Sequence, residues 1–273
     1  MSRIDRLFEA RRAAGKRVLV VYLCVGDPSL EASVRFAHAA LAAGADMLEL
    51  GVPFSDPTAD GPAIARASER AIRAGSSLAR TLDVAREVRQ TCDAPLVLFG
   101  YYNPLLIHGE KESVRDAKTA GIDALLVVDL PPEEGLVLRD AADEAGIAII
   151  PLLTPTSGPS RVAAATARAS GFVYYVSVTG VTGNAGEDAL ATASAQAARL
   201  RDTTRLPVVI GFGIDGPKKA QMATGRGSAT PGGDGIVVGT AIVKAIESEN
   251  DDATRVRAVS RLVASLRAAL DEV

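Results

Sequence analysis

VLVVYLCVGDPSLEASVRFAHAALAAGADMLEL, residues Val18–Leu50, holds the pattern from which the fold is read. It opens on an apolar run of strand length, Val18–Leu23. In the stretch that follows, Leu30, Val34, Ala37 and Leu41 fall on one helical face. Asp27-Pro28 stands ahead of that stretch and Gly44 behind it, plausible start and stop signals for a helix. A second apolar run, Met47–Leu50, closes the unit. Continuously apolar strands alternating with helices describe a parallel sheet covered on both faces.

The unit recurs along the chain. Further apolar runs lie at Leu96–Phe99, Ala124–Val128, Ala148–Leu152, Phe172–Ser177, Val208–Gly211 and Ile236–Gly239, between alanine-rich stretches of helical period. Gly121, Gly146 and Gly171 each stand just before the next run, where a left-handed helix terminus calls for glycine. About eight such units in 273 residues fit a closed barrel better than an open doubly wound sheet, which stays as the alternative. The expected fold is therefore α/β, a single (β/α)8 TIM barrel over residues 1–273. The amphipathic segment Ile4–Ala14 is expected as an extra N-terminal helix closing the barrel bottom. Residues 223–234, ATGRGSATPGGD, are glycine- and serine-rich and read as a mobile insertion loop.

Composition excludes several function classes. With 30 basic and 33 acidic side chains the net charge is −3, and no basic stripe suits nucleic acid as a partner. Cys24 and Cys92 are too few for a disulfide framework and lack metal-ligand spacing, so no metal is expected. The apolar runs are too short to span a membrane, and the charged N-terminus, MSRIDRLFEARRAAGKR, has no signal-peptide character. A cytoplasmic enzyme is the expectation.

In a barrel of this kind, chemistry sits at the C-terminal strand ends and the loops after them. Glu49 lies inside an apolar run, on the same strand face as Met47. If that face is the interior, its carboxylate is buried without a basic neighbour in the strand, which raises its pKa toward the range of general acid–base work. The alternative is a strand-end glutamate facing solvent. In the Pro- and Gly-punctuated loop that follows, Asp56 reads as a turn or cap residue, whereas Asp60 suits a helix cap or a carboxylate above the barrel mouth. The seventh and eighth strands end in Val209–Asp215 (VIGFGID) and Val237–Val243 (VVGTAIV), whose glycines let backbone N–H groups approach an anion. Thr240 opens a short helix whose N-terminus favours phosphate, although plain turns would also use these glycines. Val178–Glu187, VTGVTGNAGE, suits a mobile lid after the sixth strand. His38 and His108 read as structural, and neither cysteine has a histidine partner for thiol chemistry.

These residues resemble a known family. ELGVPFSDPTADGP (Glu49–Pro62), YLCVGDP (Tyr22–Pro28), YYNP (Tyr101–Pro104), VSVTGVTG (Val176–Gly183), GFGI (Gly211–Ile214) and GTAIVK (Gly239–Lys244) look like the tryptophan synthase α subunit, in the right order and spacing. The Glu49–Pro62 stretch is highly specific; the glycine motifs are shared with other phosphate-binding barrels. The resemblance implies a (β/α)8 barrel lyase that cleaves indole-3-glycerol phosphate to indole and glyceraldehyde 3-phosphate. It implies a β-subunit partner in an αββα assembly, with pyridoxal phosphate in the β subunit and no cofactor in this chain. It implies Glu49 as the acid that protonates indole C3 and then as base for the side-chain hydroxyl, with Asp60 accepting the indole N–H.

Other roles carry over by position. Tyr174 and Thr182 match residues that position Asp60. Gly183, Gly213, Gly239 and Thr240 match the phosphate site, and Tyr22, Phe99, Tyr101, Leu126, Leu152, Phe212 and Val237 match the indole pocket. The chain departs from the family at Cys24, usually threonine, at Gly100, larger in some members and here implying a looser pocket, and at the longer 223–234 segment. The lid segment NAGE also lacks a basic residue often seen there. A stand-alone lyase releasing indole, a non-catalytic regulatory subunit and a phosphosugar isomerase or epimerase are the competing functions.

Overall fold

The computed structural model describes residues 1–176, 187–211, 213–225 and 232–272. Its strands are β1 (Val18–Cys24), β2 (Met47–Gly51), β3 (Leu96–Gly100), β4 (Ala124–Val127), β5 (Ala148–Ile149), β6 (Leu152–Leu153), β7 (Val173–Val176), β8 (Val208–Gly211) and β9 (Gly235–Val238). All the pairings are parallel, in the order β5-β4-β3-β2-β1-β9-β8-β7-β6. The two ends of this sheet are consecutive in the chain, so it closes on itself. β5 and β6 are the two halves of one barrel strand, and the seventh and eighth barrel strands are β8 and β9.

The expected fifth run, Ala148–Leu152, is thus split, and Pro151 is the reason. Proline has no N–H to give the ladder. Around it, Ile150 N–H still donates to Leu125 on one side, and the Pro151 carbonyl still accepts from Tyr174 on the other. The closure survives with shortened strands.

The helices are α1 (Arg3–Ala13), α2 (Leu30–Ala42), α3 (Pro62–Arg73), α4 (Leu78–Arg89), α5 (Tyr102–His108), α6 (Glu110–Thr119), α7 (Leu136–Ala145), α8 (Pro159–Thr166), α9 (Glu187–Thr204), α10 (Pro217–Thr224), α11 (Thr240–Glu247) and α12 (Asp252–Asp271). α2 follows the expected face, burying Val34 and Ala37; Ser29 caps its start by accepting from Ala32 N–H. Strand alternation divides the core in two. Leu19, Val21, Leu48 and Leu50 pack outward against the helices, whereas Val20, Tyr22, Met47 and Val97 fill the interior. Burial of this apolar area, at about 25 cal/mol per Å², is the main stabilising term.

α1 seals the N-terminal end. Ile4 and Phe8 are buried in the interior cluster, and the Phe8 ring lies 5.8 Å from that of Phe172, just ahead of β7. Beside it, buried Asp46 accepts from Leu19 N–H and pairs with Arg11 and Arg267, tying α1, β1 and α12 together. Of the segment 223–234 expected as an insertion loop, Ala223 and Thr224 complete α10 and Gly225 ends it in the left-handed region, while residues 226–231 lie outside the described residues. Gly233 N–H donates to the Ala223 carbonyl, so the described residues on either side of that stretch meet.

Candidate active site

Glu49 sits in β2, where every residue is buried. It pairs in register with Tyr22 of β1 and Val97 of β3, on the interior side with Met47. Its side chain has no solvent exposure, and neither carboxyl oxygen has a hydrogen-bond partner among the described residues. Desolvation therefore pushes its pKa up to about 8. At neutral pH it is a carboxylic acid, able to donate a proton.

Asp60 approaches from the loop after β2. Its N–H donates to the Pro57 carbonyl, and α3 starts two residues later, capped at Gly61 without a side-chain bond. The carboxylate is therefore not a helix cap. Burial raises its pKa to about 6, opposed by a hydrogen bond from the Tyr101 hydroxyl. That hydroxyl also accepts Ala59 N–H at 3.0 Å, and its ring stacks on Phe54 with centroids 5.1 Å apart. Phe54 N–H in turn donates to Ser68 of α3. Tyr101 thus fixes the loop that carries Asp60.

Glu49 and Asp60 open on one cavity of about 60 Å³. Tyr22, Phe99, Tyr174 and Val237 form its aromatic and apolar walls, with the Tyr22 and Phe99 rings edge to face at 5.3 Å. Two strand-end glycines make room for the tyrosines. A Cβ on Gly51 would stand 2.4 Å from the Tyr22 hydroxyl, and one on Gly211 would stand 2.3 Å from that of Tyr174. A further part of the cavity wall is formed by Gly213, Gly239 and Thr240. Gly213 adopts φ 75, a conformation that favours glycine, and α11 begins there with no side-chain cap. Uncapped amides and the helix dipole make that part of the wall suited to an anion.

The structure does not bring every sequence-proposed residue to this cavity. Tyr101 holds the Asp60 loop instead of forming a wall. Leu126, in register with Phe99, is fully buried within the interior packing and has no surface on the cavity. Leu152, displaced at the broken fifth strand, lines a different cavity. Thr182, Gly183 and Phe212 lie outside the described residues. Gly100 does not loosen the pocket, because its side-chain position points at Val52 in the outer core, 3.3 Å away. Cys24 is buried, and desolvation pushes its thiol far up, which removes it from nucleophilic chemistry. His108 pairs with Asp116 on the surface, and His38 meets Thr91.

Ile64, Asp215 and Lys244 line the cavity and were not singled out from the sequence. The signal for Lys244 was its place one turn after Thr240, on the same helix face. Asp215 is matched by Lys219 at 2.8 Å. Among the described residues no cluster of His, Cys, Asp and Glu could hold a metal ion, and no helix is long and apolar enough to cross a membrane.

Acid–base chemistry on an apolar substrate with an anionic end is what such a mouth can do, and it places the chain among the phosphate-binding (β/α)8 barrel enzymes. Comparison with known proteins narrows this. The family model described as tryptophan synthase alpha chain matches residues 8–271. The tryptophan synthase alpha chain of Geobacter sulfurreducens is 46% identical over 270 residues, covering 99% of each chain; that of Geotalea uraniireducens is 44% identical over 273 residues, covering 100% of this chain and 99% of the other. Among solved structures, tryptophan synthase subunit alpha from Legionella pneumophila superposes with a TM-score of 0.89 at 33% identity, covering 100% of both chains. A Mycobacterium tuberculosis tryptophan synthase structure gives 0.88 at 32% identity, covering 100% of this chain and 99% of the other.

The chain belongs to the tryptophan synthase α-chain family. Its function is that family's, cleavage of indole-3-glycerol phosphate in tryptophan biosynthesis, in company with a β subunit that carries the pyridoxal phosphate. The stand-alone and non-catalytic alternatives are not favoured.

Proposed function

We propose that the chain is a carbon–carbon lyase in which Glu49 and Asp60 divide the acid and base work of a retro-aldol cleavage. An indole carbanion is a poor leaving group, so the ring must be protonated at C3 before the side chain can leave. The neutral Glu49 carboxyl supplies that proton. The charge that develops on the ring nitrogen is met by Asp60, ionised and held by Tyr101. Glu49, now a carboxylate, then takes the proton of the side-chain hydroxyl. The carbonyl of glyceraldehyde 3-phosphate forms, and the electrons of the breaking carbon–carbon bond restore the aromatic ring as indole. Atoms and charge balance without a cofactor.

The substrate phosphate is assigned to the Gly213, Gly239 and Thr240 part of the wall, where the α11 terminus supplies N–H donors. Gly183, Phe212 and Thr182 are proposed to complete the phosphate site, the indole pocket and the hold on Asp60, on the strength of the sequence resemblance. Tyr22, Phe99, Tyr174 and Val237 are proposed as the indole surround. Leu106 and Ile107 on α5, and Leu136 and Val137 at the start of α7, are large apolar side chains left exposed, and we assign them to contact with the β subunit. The family's biosynthetic role supports a cytoplasmic location and a single catalytic domain over 1–273.

The observation that carries this reading is the fully buried Glu49 carboxyl, without a hydrogen-bond partner among the described residues, sharing a cavity with Asp60. Glu49→Gln is expected to abolish indole formation while leaving indole-3-glycerol phosphate bound. Substantial turnover by that variant, measured with and without β subunit, would overturn the assignment.

A further inference from the structure

A second cavity, of about 400 Å³, lies where β4, β5 and β6 are overlain by α7 and α8. Among the described residues none lines both it and the Glu49 cavity. Its size falls in the range of sites that enclose small organic ligands, roughly 300–1,000 Å³. Leu138, Ile149, Leu152 and Ala165 supply apolar surface, and the exposed Thr156 and Arg161 mark its mouth.

Arg139 of α7 lines this cavity and is only 9% exposed. One guanidinium nitrogen donates to the Arg168 carbonyl at 2.9 Å. Among the described residues no carboxylate comes within ion-pair distance of it. The other deeply placed arginines differ: Arg70 has Asp27, Arg89 has Asp123, and Arg267 has Asp46 and Asp271. Burial disfavours the Arg139 charge and pulls its pKa down, yet the group remains a cation. Asp143, one turn further along α7, favours the charge from beyond ion-pair distance and the Arg168 cation opposes it, so an entering carboxylate would supply the direct bidentate contact that no described carboxylate makes.

Asp129 also borders the cavity, its Oδ1 accepting Tyr102 N–H at 2.7 Å. Its charge opposes a second anionic group on the ligand. We propose that this cavity is a binding site for a small organic monocarboxylate with an apolar body, separate from the site of indole-3-glycerol phosphate cleavage. The carboxylate pairs with Arg139, and the body covers Leu138, Ile149 and Ala165.

The test is calorimetric titration of the full-length chain with octanoate and with its neutral counterpart octanamide. Octanoate is expected to bind once per chain, at least tenfold more tightly than octanamide. That comparison needs no variant. Arg139→Met is expected to lose at least tenfold in octanoate affinity with octanamide binding unchanged, and Ala165→Phe, which fills the cavity, to weaken both. Saturating indole-3-glycerol phosphate is expected to leave octanoate bound. The proposal falls if octanoate fails to bind at millimolar concentration, binds no better than octanamide, binds Arg139→Met equally well, or is displaced by the phosphate ester. The last result alone would locate binding in the Glu49 cavity and leave the lyase reading intact.

Discussion

Tyr101→Phe isolates the hydroxyl that holds Asp60, because a phenylalanine keeps the ring stacked on Phe54. In the wild type, Glu49 must be protonated to act and its pKa is about 8, so activity falls as pH rises through that value. Asp60 must be ionised and its pKa is about 6, so activity falls as pH drops through that value. At pH 7 roughly four-fifths of the molecules hold both groups in working form. A hydrogen bond from a neutral donor to a charged acceptor contributes about 1.5–3 kcal/mol when buried. Asp60 is half-buried, so the lower end applies, and about 1.4 kcal/mol moves an ionisation by one pH unit. The acid limb of kcat/KM is therefore expected to move up by about one pH unit, with the alkaline limb unchanged. At pH 6.5 that amounts to a loss of about threefold, against almost none at pH 8. The assay is indole release from indole-3-glycerol phosphate between pH 5 and 9.5. An unmoved acid limb, or a loss equal at every pH, would refute the role given to the Tyr101 hydroxyl.

The remaining predictions concern packing and linkage. Glu49 binds its proton more tightly when folded than when unfolded, so wild-type stability falls as pH rises from about 4.5 toward 8. Glu49→Gln should remove that slope, and its melting temperature relative to wild type should climb between pH 5 and 8.5; parallel curves would count against a buried neutral acid. Asp46→Asn leaves Arg11 and Arg267 facing a neutral group and should cost about 3–5 kcal/mol in urea unfolding, with kcat preserved. Gly211→Ala forces the Tyr174 ring aside and should cost about 1–3 kcal/mol together with a loss of activity; retention of both would mean that β8 yields instead of the ring.

The barrel was legible because its strands announce themselves by continuous apolar runs, and Gly121, Gly146 and Gly171, all at positive φ, mark where helices stop. The division of the fifth strand was less visible, since Ala148–Leu152 reads as one run until Pro151 is required to donate to the ladder. Glu49 could be narrowed to one strand face from alternation with Met47, but whether that face was interior depended on closure, a property of the whole sheet. Asp60 stayed ambiguous for a different reason. A carboxylate ahead of Gly-Pro suits a helix cap or a reactive position equally, and only the partnership with Tyr101, 41 residues away, separates them. Tyr101, Leu126 and Leu152 were grouped with the pocket walls because strand position predicts which side a residue faces. It does not predict depth in the barrel, and depth decides whether a side chain reaches the cavity, is sealed beneath it, or turns to hold a loop.

The pairing of β1 with β9 joins Val18 to Gly235, so the first strand to be made waits for the last. During synthesis at about 5–20 residues per second, roughly 200 residues must emerge before that flank is covered, on the order of 10–40 s. Throughout that interval one border of the nascent sheet offers unsatisfied amides and carbonyls beside a wholly apolar segment, a template for pairing with neighbouring chains. Yield in a crowded cell is therefore governed by how the unfinished polypeptide is shielded, and slower translation or a missing C-terminal quarter should send this chain into aggregates, however stable the finished barrel is.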